Sequence, residues 1–268
     1  MHKRFLALLL GLVFMAGATG QVLAAEEAAE VPQVYIDGVL TENVHATVID
    51  QATYVSFTAL VSALQPDAVI SWEGGQSVAR AEGIEVAARP GAVYLQANGR
   101  YLYVPEGIQA GENETLVPVR TLAQALGAEV SWDGAVQITS EGTPLVTGEE
   151  FYDAEAVFLL SHIIYNESGN QPMEGKIAVG NVLLNRVAHP SFPSTLYDVI
   201  YQPGQFYPEK TGCMEKTPNE GSVIAAKLCL EGAVVVSDAY WFNGAGKSCW
   251  ASQNKECVAV IGGHAFYG

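Results

Sequence analysis

Two rhythms of hydrophobic and polar positions divide the chain. Between residues 33 and 142, short apolar runs alternate with polar positions and stop at turn residues, which predicts strands. Val34-Tyr35-Ile36 runs into Asp37-Gly38, and Ala92-Val93-Tyr94-Leu95 is a similar run further on. Tyr54–Leu64 and Leu116–Leu126 each read as a short strand entering an amphipathic helix. Each is followed by a strand and a turn, Ile70-Ser71-Trp72-Glu73-Gly74 and Val130-Ser131-Trp132-Asp133-Gly134, so the segment is an internal repeat. From residue 151 the period becomes helical. Asp153 caps a helix predicted through Tyr165, with Val157, Leu160, Ile163 and Ile164 on its apolar face, and Asn166-Glu167-Ser168-Gly169-Asn170 breaks it. A second helix is predicted over Met173–Val187, stopped by Pro190 and Pro193. Thr217-Pro218-Asn219-Glu220 reads as a helix start with Thr as cap, and that helix ends near Glu231-Gly232. Tyr240-Trp241-Phe242 and Val258-Ala259-Val260-Ile261 read as paired strands. The expected class is α+β: a mainly helical domain with a small β-hairpin (151–268), preceded by a two-repeat α+β domain (33–142). Residues 143–150, with a Pro, a Gly and two acids, make the expected linker.

Composition narrows the functional classes. Of 268 residues 49% are hydrophobic and only 16% charged, which excludes a disordered or fibrous chain. A net charge of −16 speaks against binding nucleic acid, which needs clustered cations. The deficit is uneven: Glu26–Glu150 holds 18 acids and 4 bases, Phe151–Gly268 holds 11 and 7. His2, Lys3 and Arg4 precede an apolar run from Phe5 to Met15, and Val22-Leu23-Ala24 fits a small-residue cleavage site. Residues 1–24 are therefore expected to be a signal peptide, with no stable membrane span after its removal and a secreted product. Export makes disulfides the expectation for Cys213, Cys229, Cys249 and Cys257, with Cys249 joined to Cys257 across a hairpin and Cys213 to Cys229. No C-x-x-C or H-E-x-x-H spacing is present, so neither metal nor cofactor is expected. Trp72 and Trp132, at equivalent repeat positions, are assigned to the core rather than to sugar stacking.

The stretch Leu116-Val117-Pro118-Val119-Arg120, continuing through Ala125-Leu126-Gly127-Ala128 to Val130-Ser131-Trp132-Asp133-Gly134, resembles the stalk-type repeats named after the N-terminal domain of copper amine oxidases. The resemblance implies a spacer or wall-adhesion role. The first copy departs from it, with Ser56, Thr58 and Gln65-Pro66 in place of the Pro, Arg and Gly-Ala. In the second half, Tyr165-Asn166-Glu167, the helix from Gly175 to Val187, and His189-Pro190-Ser191-Phe192-Pro193 form ordered blocks. They continue with Val199–Phe206, Pro218-Asn219-Glu220, Ala239–Asn243 and Gly263–Tyr267. Together these resemble the SleB-type spore-cortex-lytic cell wall hydrolase family. That resemblance implies a lysozyme-like domain that cuts peptidoglycan glycan strands as a lytic transglycosylase, with its catalytic acid at Glu167. Ser168-Gly169-Asn170 stands where the family has Ala-Arg-Gly.

The chemistry is consistent with that assignment. Glycosidic cleavage needs a carboxylic acid kept protonated near neutral pH. A Glu at an apolar helix end meets two influences that disfavour its charge, the negative helix terminus and apolar neighbours. A hydrolase would also need a second carboxylate, for which Glu174 is nearest in sequence on the C-terminal side. A transglycosylase needs only one, because the sugar's 6-hydroxyl attacks. Gln205, Phe206, Tyr240, Phe242 and Asn243 are the candidates to line a glycan cleft, spore cortex and vegetative wall being the candidate substrates. A non-catalytic wall-binding protein and a muramidase-type hydrolase are the rival readings. Removal of the first half is expected to leave a soluble domain that still cuts soluble strands.

Overall fold

The computed structural model describes residues 31–268, so the expected signal segment at 1–24 lies outside them. The first half contains β1 (Val34–Ile36), β2 (Val39–Leu40), β3 (Ala46–Ile49), β4 (Ala52–Ser56), α1 (Phe57–Leu64) and β5 (Val69–Glu73). It continues with β6 (Gln76–Ala81), β7 (Ile84–Ala88), β8 (Tyr94–Ala97), β9 (Arg100–Tyr103), β10 (Gln109–Ala110) and β11 (Thr115–Pro118). α2 (Val119–Ala125), β12 (Glu129–Trp132) and β13 (Val136–Thr139) complete it. The repeat is visible as strand–helix–strand twice over, and its copies meet through β4 and β11, which pair antiparallel with Val55 opposite Val117. Three sheets result, in the orders β12-β13-β1-β2, β10-β11-β4-β3 and β5-β6-β7-β8-β9. Phe57, Leu60 and Val61 of α1 and Leu122 and Ala123 of α2 close one core with Val55, Val86, Leu95 and Val117. Tyr54 is also fully buried, and its hydroxyl donates to the Gly107 carbonyl at 2.8 Å.

Trp72 and Trp132 are not in that core. They are 63% and 53% exposed. Each shares a sheet face with an inward residue two positions earlier, Ile70 or Val130, which packs on the core. Each, however, sits at the end of an edge strand, beyond the side chains that cover its neighbour.

The second half contains α3 (Gly148–Phe151), α4 (Ala154–Ser168), α5 (Met173–Ala188), α6 (Leu196–Ile200), α7 (Pro208–Thr211) and α8 (Glu220–Leu230). β14 (Trp241–Gly244), α9 (Trp250–Asn254), β15 (Cys257–Ile261) and β16 (His264–Tyr267) follow. α4, α5 and α8 pack around a second core of Leu160, Ile163, Ile164, Ile177, Val182 and Leu228. Gly180 permits the close approach of α5 to α8, since a Cβ there would lie 2.5 Å from Cys229 Sγ. The α8 cap is Asn219, whose Oδ1 accepts from the Ser222 amide at 2.9 Å, and not the Thr217 expected from the Thr-Pro start. The expected hairpin is a three-stranded sheet, order β14-β16-β15: the closing segment His264–Tyr267 inserts between the two strands predicted to pair.

Neither expected disulfide is formed, and all four thiols are free. Three of them make other hydrogen bonds. Cys229 Sγ donates to the Ile177 carbonyl at 3.5 Å, Cys249 caps α9 by accepting from the Ser252 amide at 3.4 Å, and Cys257 Sγ donates to the Ala259 carbonyl at 3.6 Å. Cys213 is buried in the second core.

The two halves share a polar interface. Arg100 of β9 makes a two-pronged pair with Glu231, Nε to Oε1 and Nη2 to Oε2, both 2.8 Å, with side chains only 10% and 6% exposed. The Tyr152 hydroxyl donates to Glu231 Oε1 at 2.8 Å and accepts from the Tyr101 amide. Its phenol is pushed well up by burial and then by that bond to Glu231. Tyr94, Tyr101 and Tyr103 pack on the second core, and the Phe151 ring lies 3.6 Å from the Arg100 guanidinium carbon. The segment expected as a linker ends in this interface. Thr147 and Glu150 cap α3 reciprocally, and the Gly148 amide donates to Asn98 at 2.8 Å.

Candidate active site

Glu167 owes its position to the way α4 ends. The helix runs three residues past the predicted stop, to Ser168, whose Oγ donates back to the Ile164 carbonyl at 2.8 Å, while the Gly169 amide donates to the Tyr165 carbonyl. Glu167 therefore lies in the last turn, where the free carbonyls carry partial negative charge. Asn219 Nδ2 donates to the Gly169 carbonyl at 2.9 Å, tying the start of α8 to this turn. The Gly263 amide donates to Gln171 Oε1 at 2.7 Å and holds the β15–β16 turn beside it. Lys176 donates its ammonium to the Gln171 carbonyl.

The Glu167 carboxyl is half-buried. Burial pushes its pKa above the ordinary glutamate value, opposed by a hydrogen bond from Asn166 Nδ2 to Oε1 at 2.8 Å. Lys216 Nζ in turn donates to Asn166 Oδ1 at 3.3 Å. Glu167 faces a cleft of about 550 Å3 whose walls include Gln205, Phe206, Phe242 and Asn243. Four of the five expected lining residues are thus brought to the same cleft. Tyr240 is not. Its ring stacks on Phe192 at 5.8 Å and meets His189 at 4.9 Å, and its carbonyl accepts from Arg186. Glu174 lies elsewhere, beside Arg89 and Pro90 of the first half. Among the described side chains that line the cleft, Glu167 is the sole carboxylate.

Arg186 was not among the residues that sequence reasoning singled out for the cleft. The side chain is 3% exposed; Nε donates to the Tyr240 carbonyl at 2.7 Å and Nη1 to Gln205 Oε1 at 2.8 Å. Burial lowers its pKa to about 10, so it stays cationic at neutral pH. Its position in the last turn of α5, among apolar helix positions, was the available signal. Trp241, Lys247 and His264 also line the cleft. His264 has its Nδ1 buried without a hydrogen-bond partner among the described residues, and its pKa is lowered by burial and then by Lys247. The strand carrying Phe242 and Asn243 is aimed by two α5 amides. Asn181 accepts from the Val235 amide and donates to Ala233; Asn185 donates to Val236 and Ala239. No group of three or more His, Cys, Asp or Glu that could hold a metal occurs among the described residues.

Comparison with known proteins resolves the two halves. Residues 170–267 match the cell wall hydrolase family, a range that begins three positions after Glu167, and residues 35–140 match the copper amine oxidase N-terminal domain family. A spore cortex-lytic enzyme of Bacillus cereus is 33% identical over 129 residues, 47% of this chain and 48% of that protein. One from Oceanobacillus iheyensis is 31% identical over 127 residues, 47% and 46% of the respective chains. The chain spans about half the length of these curated relatives. Among solved structures, the catalytic domain of the Bacillus cereus SleB protein is 29% identical, covering 44% of this chain and 92% of that one, with a TM-score of 0.41. By sequence, the C-terminal half resembles the cell wall hydrolase family and the spore cortex-lytic enzymes, and the N-terminal half the copper amine oxidase N-terminal domain.

Proposed function

We propose that this protein is an exported enzyme that cleaves the glycan strands of peptidoglycan, in spore cortex or cell wall, as a lytic transglycosylase. The observation that carries the reading is Glu167: a half-buried carboxyl, raised in pKa, with no second carboxylate among the described side chains of its cleft. In this reading protonated Glu167 gives its proton to the glycosidic oxygen as the bond to the muramic acid C1 breaks. The resulting carboxylate takes the proton of that sugar's 6-hydroxyl as its oxygen closes on C1. One acid, regenerated at the end, serves both steps. Arg186 positions rather than reacts, fixing the amide of Gln205 and the carbonyl of Tyr240. Phe206 and Phe242, with ring centroids 6.4 Å apart, offer apolar faces to the sugar rings.

Mass analysis of products from purified peptidoglycan tests the chemistry. Fragments should end in 1,6-anhydro-muramic acid, lighter by one water than hydrolytic products. Reducing ends would make the enzyme a hydrolase and require a second carboxylate, while no cleavage at all would favour a wall-binding protein.

Export also implies oxidised cysteines. Cys257 is the register partner of Tyr267 on β16, and Cys249 packs on the small cluster that Tyr267 shares with Ala251 and Ala265. Cys249 and Cys257 are therefore proposed to pair, a loop closure contributing about 2–3 kcal/mol if unstrained. Non-reducing peptide mapping of the exported protein should find that link; free thiols there would exclude it.

A further inference from the structure

We propose that a groove on the first half, beside Trp72, binds a second stretch of uncharged amino-sugar strand. The inference takes its choice of ligand from the glycan-cleaving reading but rests on different residues. The groove, of about 590 Å3, runs from the end of β5 to the β10–β11 turn. Trp72 stands at its rim, 63% exposed, on the sheet face that Ile70 buries into the core. An indole left open beside a concave surface is a stacking platform, since its ring can cover the C–H face of a pyranose. Polar groups suited to sugar hydroxyls surround it. Asn113 and Glu114, both exposed, also line the groove, as do the buried Ser77 and Thr115, whose hydroxyls lie 2.8 Å apart.

Charge selects among wall polymers. Glu114 is the sole charged residue among the described side chains lining the groove, and the half that carries it has 18 acids against 4 bases. A phosphate-rich or otherwise anionic polymer would be repelled, whereas a neutral N-acetylated glycan would not. The packing of the two halves through Arg100 and Glu231 places this groove and the Glu167 cleft on one body. One strand network can then be held at the first while it is cut at the second.

The test uses the full chain carrying Glu167→Gln, so that ligand is not consumed, and an N-acetylglucosamine hexamer as probe. The chain has four Trp, and the indole N–H resonance missing from Trp72→Ala identifies Trp72. That resonance should shift saturably with the hexamer, whatever happens at Trp241 in the cleft. Trp72→Ala should weaken binding to insoluble sacculi about tenfold. In the active chain, the same substitution should leave cleavage of soluble strands and the thermal midpoint unchanged, because the side chain is exposed. A Trp72 resonance that stays still, or sacculus binding equal to the parent's, overturns the proposal. Failure of the cleavage reading appears separately, in the product analysis.

Discussion

Replacing Glu167 by Gln should cut turnover by a factor of about 10²–10⁴, the range expected when a general acid is lost. Gln keeps the size of the side chain and can still meet the Asn166 amide, so the fold should survive. The direction of any stability change is fixed by linkage. Burial raises the folded-state pKa of Glu167, so the folded protein binds its proton more tightly than the unfolded chain does. Its carboxyl therefore costs stability above that raised pKa, and the cost disappears as the pH falls through it. The amide has no such cost, and the thermal midpoint of Glu167→Gln at neutral pH should equal or exceed the parent's. Activity should follow the same proton, declining as pH rises through the Glu167 pKa. Full activity in Glu167→Gln would remove Glu167 from the mechanism. A lowered midpoint would mean that burial is not what raises its pKa.

Arg100→Ala should destabilise the protein by about 3–5 kcal/mol, although Arg100 lies far from the cleft in sequence and chemistry. Glu231 is 6% exposed and takes both oxygens' partners from Arg100, with Tyr152 adding a third bond. Removing the guanidinium strands a buried carboxylate and uncovers the Phe151 ring. Urea unfolding measures the loss. Replacing both partners with Met should recover most of it, because an apolar pair of similar volume leaves no charge without a partner. A loss below about 1 kcal/mol would mean that the pair behaves as a solvated surface bridge. The same interface revises the expectation that the second half stands alone. A fragment beginning at residue 151 lacks Arg100 and the cover of Tyr94, Tyr101 and Tyr103 on the second core. It should be less stable than the same residues in the whole chain.

What the sequence disclosed follows from what local patterns encode. Helix period and caps placed α4, α5 and α8 to within a few residues, and the repeat announced α1 and α2 with their flanking strands. Glu167 was singled out through the resemblance carried by Tyr165-Asn166-Glu167 and the ordered blocks after it, since a polar break after an apolar helix does not by itself mark an acid. Arg186 was not, since nothing adjacent in sequence announces the Tyr240 carbonyl and Gln205 that accept its hydrogen bonds. Sheet order failed for a similar reason. Val258–Ile261 and Trp241–Phe242 look like partners, yet His264–Tyr267 fits between them and bonds to both. Trp72 and Trp132 were misplaced because alternation tells which face a side chain takes, not how far along the strand the cover extends. The Arg100–Glu231 pair joins residues 131 positions apart, a separation no local pattern reports.

The strand pairing of the first half also governs when that half can form. β1 lies parallel to β13, with Val34 opposite Val136, and β4 waits for β11. Neither repeat copy has its full set of backbone partners until the other has been made. Contacts this distant along the chain slow the search for the native arrangement, because a long loop must close before any bond rewards it. As the polypeptide emerges from the ribosome, N-terminus first, closure of the β12-β13-β1-β2 sheet is deferred until residue 139 is free, so β1 stays without its parallel partner while all the residues between are made.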